Sequence, residues 1–219
     1  MLPKVLLLMK ITEILLARTV WFVDLQKLNP EGLAYGSIYS SLKERYKFLR
    51  YPTTPSEIDL NKGTLFGGGE FDYEGKKIGV GITVYNNGWA ADSLVSTESS
   101  EAFLEDISAW LTDTVGLLQA KNFVTKIIYD SQLVLHSELD LKKLCAKLKS
   151  FSSIVGKASG NPIEEVAGFT IGSGKYPYAT FAVERRNNVE FSEMKYFSKA
   201  SVPTSKHIYL LEEFEKLLG

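Results

Sequence analysis

Three aspartates stand where carboxylates can do chemistry. Asp24, Asp92 and Asp130 each lie within or at the end of an apolar stretch of strand character. Carboxylates on neighbouring strand ends can hold a divalent cation or share a proton as an acid/base pair. On the polar face of a half-buried strand the same residues are ordinary solvated charges. The sequence favours that reading, and the acidic trio is kept as the alternative site.

The remaining chemistry-bearing residues are no more convergent. Gly172-Ser173-Gly174-Lys175 has the letters of a phosphate loop without its spacing. Phe169 stands where the first glycine belongs, and Tyr176 follows Lys175 where Ser or Thr is needed. With Tyr176-Pro177 it reads as a hairpin turn. Gly67-Gly68-Gly69 offers backbone N–H groups to an anion, but Glu70 and Asp72 follow at once and repel phosphate. The two histidines, His136 and His207, have no second His or Cys at ligand spacing, so no metal site is expected. His207 opens an amphipathic helix and reads as a surface residue. Cys145 falls on the apolar face of its helix, where a thiol behaves as a small hydrophobe. Lys142, Lys143, Lys147 and Lys149 form the other face of that helix. Without interleaved aromatics they read as a solvated face rather than a nucleic-acid footprint. No catalytic residue, metal or cofactor is assigned.

What remains is surface for binding. The candidates are Gly79 and Gly81 on one face of a strand, and the aromatics Trp89, Tyr176 and Tyr178 on hairpins, with Tyr196 beside them. Glycine weakens a strand by about 0.5–1 kcal/mol relative to Ala, so two on one face suggest that another backbone, a ligand or a partner comes close.

The elements that position these residues are organised around residues 63–95. Ile78, Val80, Ile82 and Val84 alternate with Gly79, Gly81, Thr83 and Tyr85, the period of a half-buried strand. Tyr73-Glu74-Gly75-Lys76 makes the turn before it. Asn86-Asn87-Gly88 makes the turn after it, with Asn-Gly signalling a type I′ hairpin. Trp89 to Val95 returns as a third strand. A helix follows, capped within residues 96–101, carrying Phe103, Ile107, Leu111 and Val115 and stopping at Gly116.

Upstream, residues 3–17 read as a buried helix or a strand followed by a helix, and 19–28 as a strand. Residues 33–49 read as a helix with Ile38, Leu42, Tyr46 and Leu49 on its apolar stripe. Downstream, residues 123–135 read as one strand or two short ones broken near Asp130-Ser131. A helix follows over 141–151 and a small polar linker over 152–162. Residues 167–172, 178–185 and 189–197 then repeat the meander, with Asn187-Asn188 in the place of Asn86-Asn87. A helix carrying Ile208, Leu211, Phe214 and Leu217 closes the chain.

The expected fold is α+β: an antiparallel sheet of two meander-plus-helix units, with helices mainly on one face. The division falls at 158/159, with the second unit packed into the same globule. The chain has 219 residues, enough for a sizeable core, and a formal net charge of −1 that attracts neither nucleic acid nor anionic membrane. A single cysteine excludes an internal disulfide and fits a reducing compartment. Lys10 and Glu13 interrupt the opening apolar run well short of the ~20 residues that span a bilayer. The chain is therefore expected to be cytoplasmic and without a membrane partner. The function expected is non-catalytic binding or scaffolding, with a protein partner that includes a second copy, as a homodimer or small homo-oligomer. The alternative is a small-molecule- or metal-dependent enzyme using the strand-end carboxylates.

Overall fold

Alternation rather than helical periodicity governs the first described stretch. In a computed structural model, which describes residues 9–32, 35–137, 151, 154–155, 157–158, 167–172 and 179–218, Met9–Phe22 forms one 14-residue strand, β1. This corrects the expectation of a helix reaching residue 17 and of a strand continuing to 28, while residues 3–8 lie outside the described residues. Ala17, Thr19 and Trp21 are buried in alternation. Apolar residues stand at odd positions (Met9, Ile11, Leu15) and at even ones (Ile14, Leu16, Val20), hence on both faces, and so mimic the wide arc of a helix. After it Asp24 caps a four-residue helix, α1 (Leu25–Leu28), by accepting from Gln26 N.

The chain continues through α2 (Tyr35–Tyr46), β2 (Thr64–Tyr73), β3 (Lys76–Tyr85), β4 (Gly88–Ser93) and α3 (Thr97–Val115). Then come β5 (Lys126–Ser137), β6 (Gly168–Gly172), β7 (Ala179–Arg185), β8 (Lys195–Ala200) and α4 (Thr204–Leu218). The fold is α+β, with antiparallel strands hydrogen-bonded in the order β2-β3-β4-β1-β5-β8-β7-β6. β5 is a single strand, unbroken at Asp130-Ser131. No helix among the described residues is long and apolar enough to cross a membrane.

Two compact units divide the chain, but not at 158/159. One comprises Leu16–Ser131 with Val202–Thr204, the other Met1–Leu15, Gln132–Ser201 and Ser205–Gly219. No single cut in sequence separates them, because β1 and β5 each supply residues to both.

In the first unit the core forms where α2 and α3 cover one face of the meander. Tyr39 and Phe48 meet Phe66, and Tyr46 and Phe71 meet Phe103, with ring centroids 5.0–5.5 Å apart. Tyr46 Oη donates to Asp106 Oδ2 at 2.6 Å, joining α2 to α3. Burial and this carboxylate hold the phenol protonated far above its usual range. Leu49 leaves the stripe assigned to it. The helix stops at Tyr46, Lys47 takes the left-handed conformation (φ 54°), and Phe48 enters the core while Leu49 turns out, 82% exposed.

The turns are set by different forces. Glu74 and Gly75 both have positive φ, the type I′ signature. Asn86 and Asn87 do not, contrary to the Asn-Gly signal. Asn86 N donates to Leu60 O, while the two carbonyls accept from Leu25 N and Val23 N, so tertiary bonds fix this turn. The Gly67–Gly69 segment is a bulge in β2. Gly68 supplies the positive φ, Gly67 pairs with Arg50, and Gly69 leaves room for the buried Phe48 ring. The triplet is structural.

The start of α3 is a buried hydroxyl seam. Ser96 and Ser99 form a reciprocal capping box. Thr19 Oγ1 donates to Thr97 O at 2.9 Å and lies 2.8 Å from Ser100 Oγ. Thr97 N donates to Thr204 Oγ1 at 2.9 Å, and Thr204 N donates to Thr97 Oγ1 at 2.7 Å.

In the second unit Phe169 and Phe181 gather around Phe214, with centroids 4.7 and 6.5 Å away. His207 is not a surface residue: it is 0% exposed, with Nε2 2.9 Å from Ser198 Oγ and its ring edge-on to Phe181. The return strand also starts later than expected, at Lys195, after a turn of 3-10 helix over Phe191–Glu193.

A Cβ at position 69 would stand 2.5 Å from Phe48 Cε1 and 3.1 Å from Tyr46 O. Gly69→Ala is therefore expected to lower stability by about 1–3 kcal/mol in urea unfolding, the cost of overpacking a closed site.

Candidate functional site: the open face of the first meander

β3 divides its side chains cleanly. Val80, Ile82 and Val84 enter the core, and Gly79, Gly81, Thr83 and Tyr85 face the other way. On that other face lies an open groove of about 540 Å³, lined in part by Leu16, Leu65, Gly68, Gly79, Gly81 and Leu94. Leu65 is 48% exposed and Leu94 67% exposed. Val95 and Leu49 extend the apolar surface, Leu49 through its contact with Gly68. Arg50, Lys77 and Asp92 also line the groove and are its charged members.

The two floor glycines differ. A Cβ at Gly79 would meet nothing within 4 Å, whereas one at Gly81 would lie 3.3 Å from Phe66 O. Gly81 is explained by the neighbouring bulge. Gly79 is not required by sterics, and neither residue has positive φ.

The carboxylates are placed separately. Asp92 Oδ1 and Oδ2 accept from Arg18 Nε and Nη2 at 2.6 and 2.8 Å, a two-pronged ion pair across β4 and β1. That bond, with the charges of Asp92 and Asp130, holds the Arg18 guanidinium above its ordinary pKa. Asp92 is the carboxylate bonded to Arg18, and Asp130 acts on it only through its charge. Asp24 caps α1, six residues or roughly 20 Å of extended chain beyond Arg18. It lines a separate groove of about 640 Å³ with Gln26, Asn86 and Asn87, and that groove holds no other carboxylate among the described residues. No group of three His, Cys, Asp or Glu suited to a metal occurs among the described residues.

The aromatic candidates do not join the site. Trp89 is 4% exposed and packs in the core, because the odd positions of β4 project from the face that the helices cover. Tyr196 is buried as well, in alternation with Ser198 and Ala200 on β8. Tyr176, Tyr178, the loop at Ser173–Lys175, Cys145 and the 142–149 lysines lie outside the described residues. A core cavity of about 30 Å³, lined by Leu28, Ile38, Leu42 and Ile82, has room for little more than one water.

Sequence reasoning located the glycines but missed Leu65, Leu94 and Leu49. The available signal was the Leu94-Val95 pair, which runs past the alternation of β4. No protein-family model and no curated protein matches this chain.

Two substitutions test the assignment. Gly79→Ala is expected to raise stability by about 0.5–1 kcal/mol in urea unfolding, since the site has space and the strand loses a flexible residue. Asp92→Asn is expected to cost no more than about 1 kcal/mol, because the ion pair is partly exposed and a structural pair of this kind is weak.

Proposed function

We propose that this chain is a non-catalytic binding protein that docks a second polypeptide on the glycine-floored face of its first meander, and that it works in the cytoplasm. The observation that carries the reading is Gly79. The residue weakens its strand, has ordinary backbone angles and has free space above it. A packing requirement does not account for it, whereas a partner seated against the backbone does. The exposed leucines at positions 49, 65 and 94 supply the apolar area that such a contact buries. The partner is one that inserts apolar side chains into a groove whose charged lining is Arg50, Lys77 and Asp92. A second copy of the chain is the first candidate. The carboxylate-enzyme alternative gains no support, since Asp92 is neutralised by Arg18 and Asp24 stands in a different groove.

Gly79→Arg and Leu94→Asp test this, because neither alters a buried contact. Sedimentation at several concentrations is expected to show association of the unmodified chain and its loss in both variants, with neither variant unfolding at lower urea than the dissociated unmodified chain. Matched pull-downs from the native host are expected to lose the same captured protein in both. A strict monomer whose captures are identical in all three proteins would end the proposal.

A further inference from the structure

The two halves of the chain follow one plan. Residues 9–116 give the neighbour order β2-β3-β4-β1, and residues 126–218 give β6-β7-β8-β5. Each meander is followed by a helix, α3 or α4. The registers match as well: Val80 pairs with Ser93 and Ile82 with Ala91, while Phe181 pairs with Ala200 and Val183 with Ser198. Val23 N donates to Asn87 O, and Ser137 N donates to Met194 O. Counting from these fixed points sets Trp89 opposite Tyr196, Trp21 opposite Leu135 and Thr97 opposite Thr204. All six of these residues are at most 4% exposed.

Chemistry agrees with position. The counting also sets Ser100 opposite His207, each a fully buried polar group in the second turn of its helix. Ser100 is met by Thr19 from the central strand, and His207 by Ser198 from the third meander strand. At the Thr19 position the second half has Leu133, and at the Ser198 position the first half has Ala91. Each half thus keeps one hydroxyl partner and moves it.

The bonds between the halves are reciprocal. Thr97 and Thr204, in equivalent positions, each accept on the hydroxyl oxygen a hydrogen bond from the other's backbone N–H. β1 and β5, also equivalent, run antiparallel, with Thr12 bonded to Val134 O and Thr125 to Phe22 O. Contact of i with j matched by j with i is the mark of an interface between two identical subunits. Both central strands divide their residues between the two compact units, as strands do when subunits exchange them.

We infer that residues 9–116 and 126–218 are one fold unit used twice, joined by a self-complementary protein–protein interface that is closed within a single chain. The occupant of that interface is the other half. The contact is independent of the Gly79 groove, and its test leaves that reading untouched.

The test uses the full chain carrying a protease site between Lys121 and Asn122, both exposed in the connector, and cleaved after folding. The two fragments are expected to stay together as a 1:1 complex at the sedimentation coefficient of the intact chain. They are expected to re-form it after urea removal, with a midpoint that depends on concentration. Thr97→Val and Thr204→Val, made separately, are expected to weaken this reassociation by similar factors, on the order of tenfold, through the stranded amide of the opposite helix. Thr97→Ser and Thr204→Ser should restore it. Fragments that separate after cleavage would overturn the interface. A large loss for one threonine with none for the other would overturn the equivalence of the halves.

Discussion

The reciprocal bond between Thr97 and Thr204 is the constraint around which this chain is arranged. The first N–H groups of a helix have no partner inside the helix and need one from elsewhere. Here both are buried, and a buried N–H without a partner costs about 1–3 kcal/mol. Each threonine satisfies the other's amide, so neither helix can start elsewhere without stranding the other. Thr19, Ser93, Ser99, Ser100 and Ser131 surround the pair as further buried hydroxyls. A polar cluster at this depth is stable only when its members are bonded, and that requirement fixes where β1, β4 and the start of α3 meet Thr204.

The two faces of the first meander then take different roles. One is filled by rings from α2, α3 and the segment after α2, and its packing explains Gly69. The other stays open over the β3 glycines, flanked by Leu16, Leu65 and Leu94, with Arg18 and Asp92 neutralising each other across the strands. Of the carboxylates that look catalytic in sequence, Asp92 is bonded to Arg18 and Asp24 caps a short helix. Glycine undergoes the opposite change. The conspicuous triplet at 67–69 belongs to a bulge, and the unremarkable Gly79 is the one with no structural explanation.

Much of the architecture was legible in advance. Period-two alternation over 77–85, the Glu74-Gly75 turn, the serine-rich cap and the Gly116 stop each act over a few residues, and each is found as read. Failures occurred where a distant bond outweighed a local preference. Asn86-Asn87 lost its expected turn type to bonds from Val23, Leu25 and Leu60. Leu49 lost its stripe to a left-handed Lys47. His207 was read as surface because its helix is amphipathic, yet it stands on the buried side beside Ser198. For the site, the sequence singled out Gly79 and Gly81 but placed Trp89 with them, because a tryptophan beside a turn carries no local mark of which face it enters.

The sequence by itself determined the alternation of apolar residues, the positions of caps and breakers, and therefore the α+β class and the two meanders. These depend on side-chain period and backbone sterics, which are local. Tertiary structure decided that β1 is one strand with neighbours on both edges, that the two central strands divide their residues between both compact units, and that Asp92 answers Arg18. It also decided that two threonines 107 positions apart complete each other's helices. Such pairings depend on which segments meet in space, and no spacing along the chain records that.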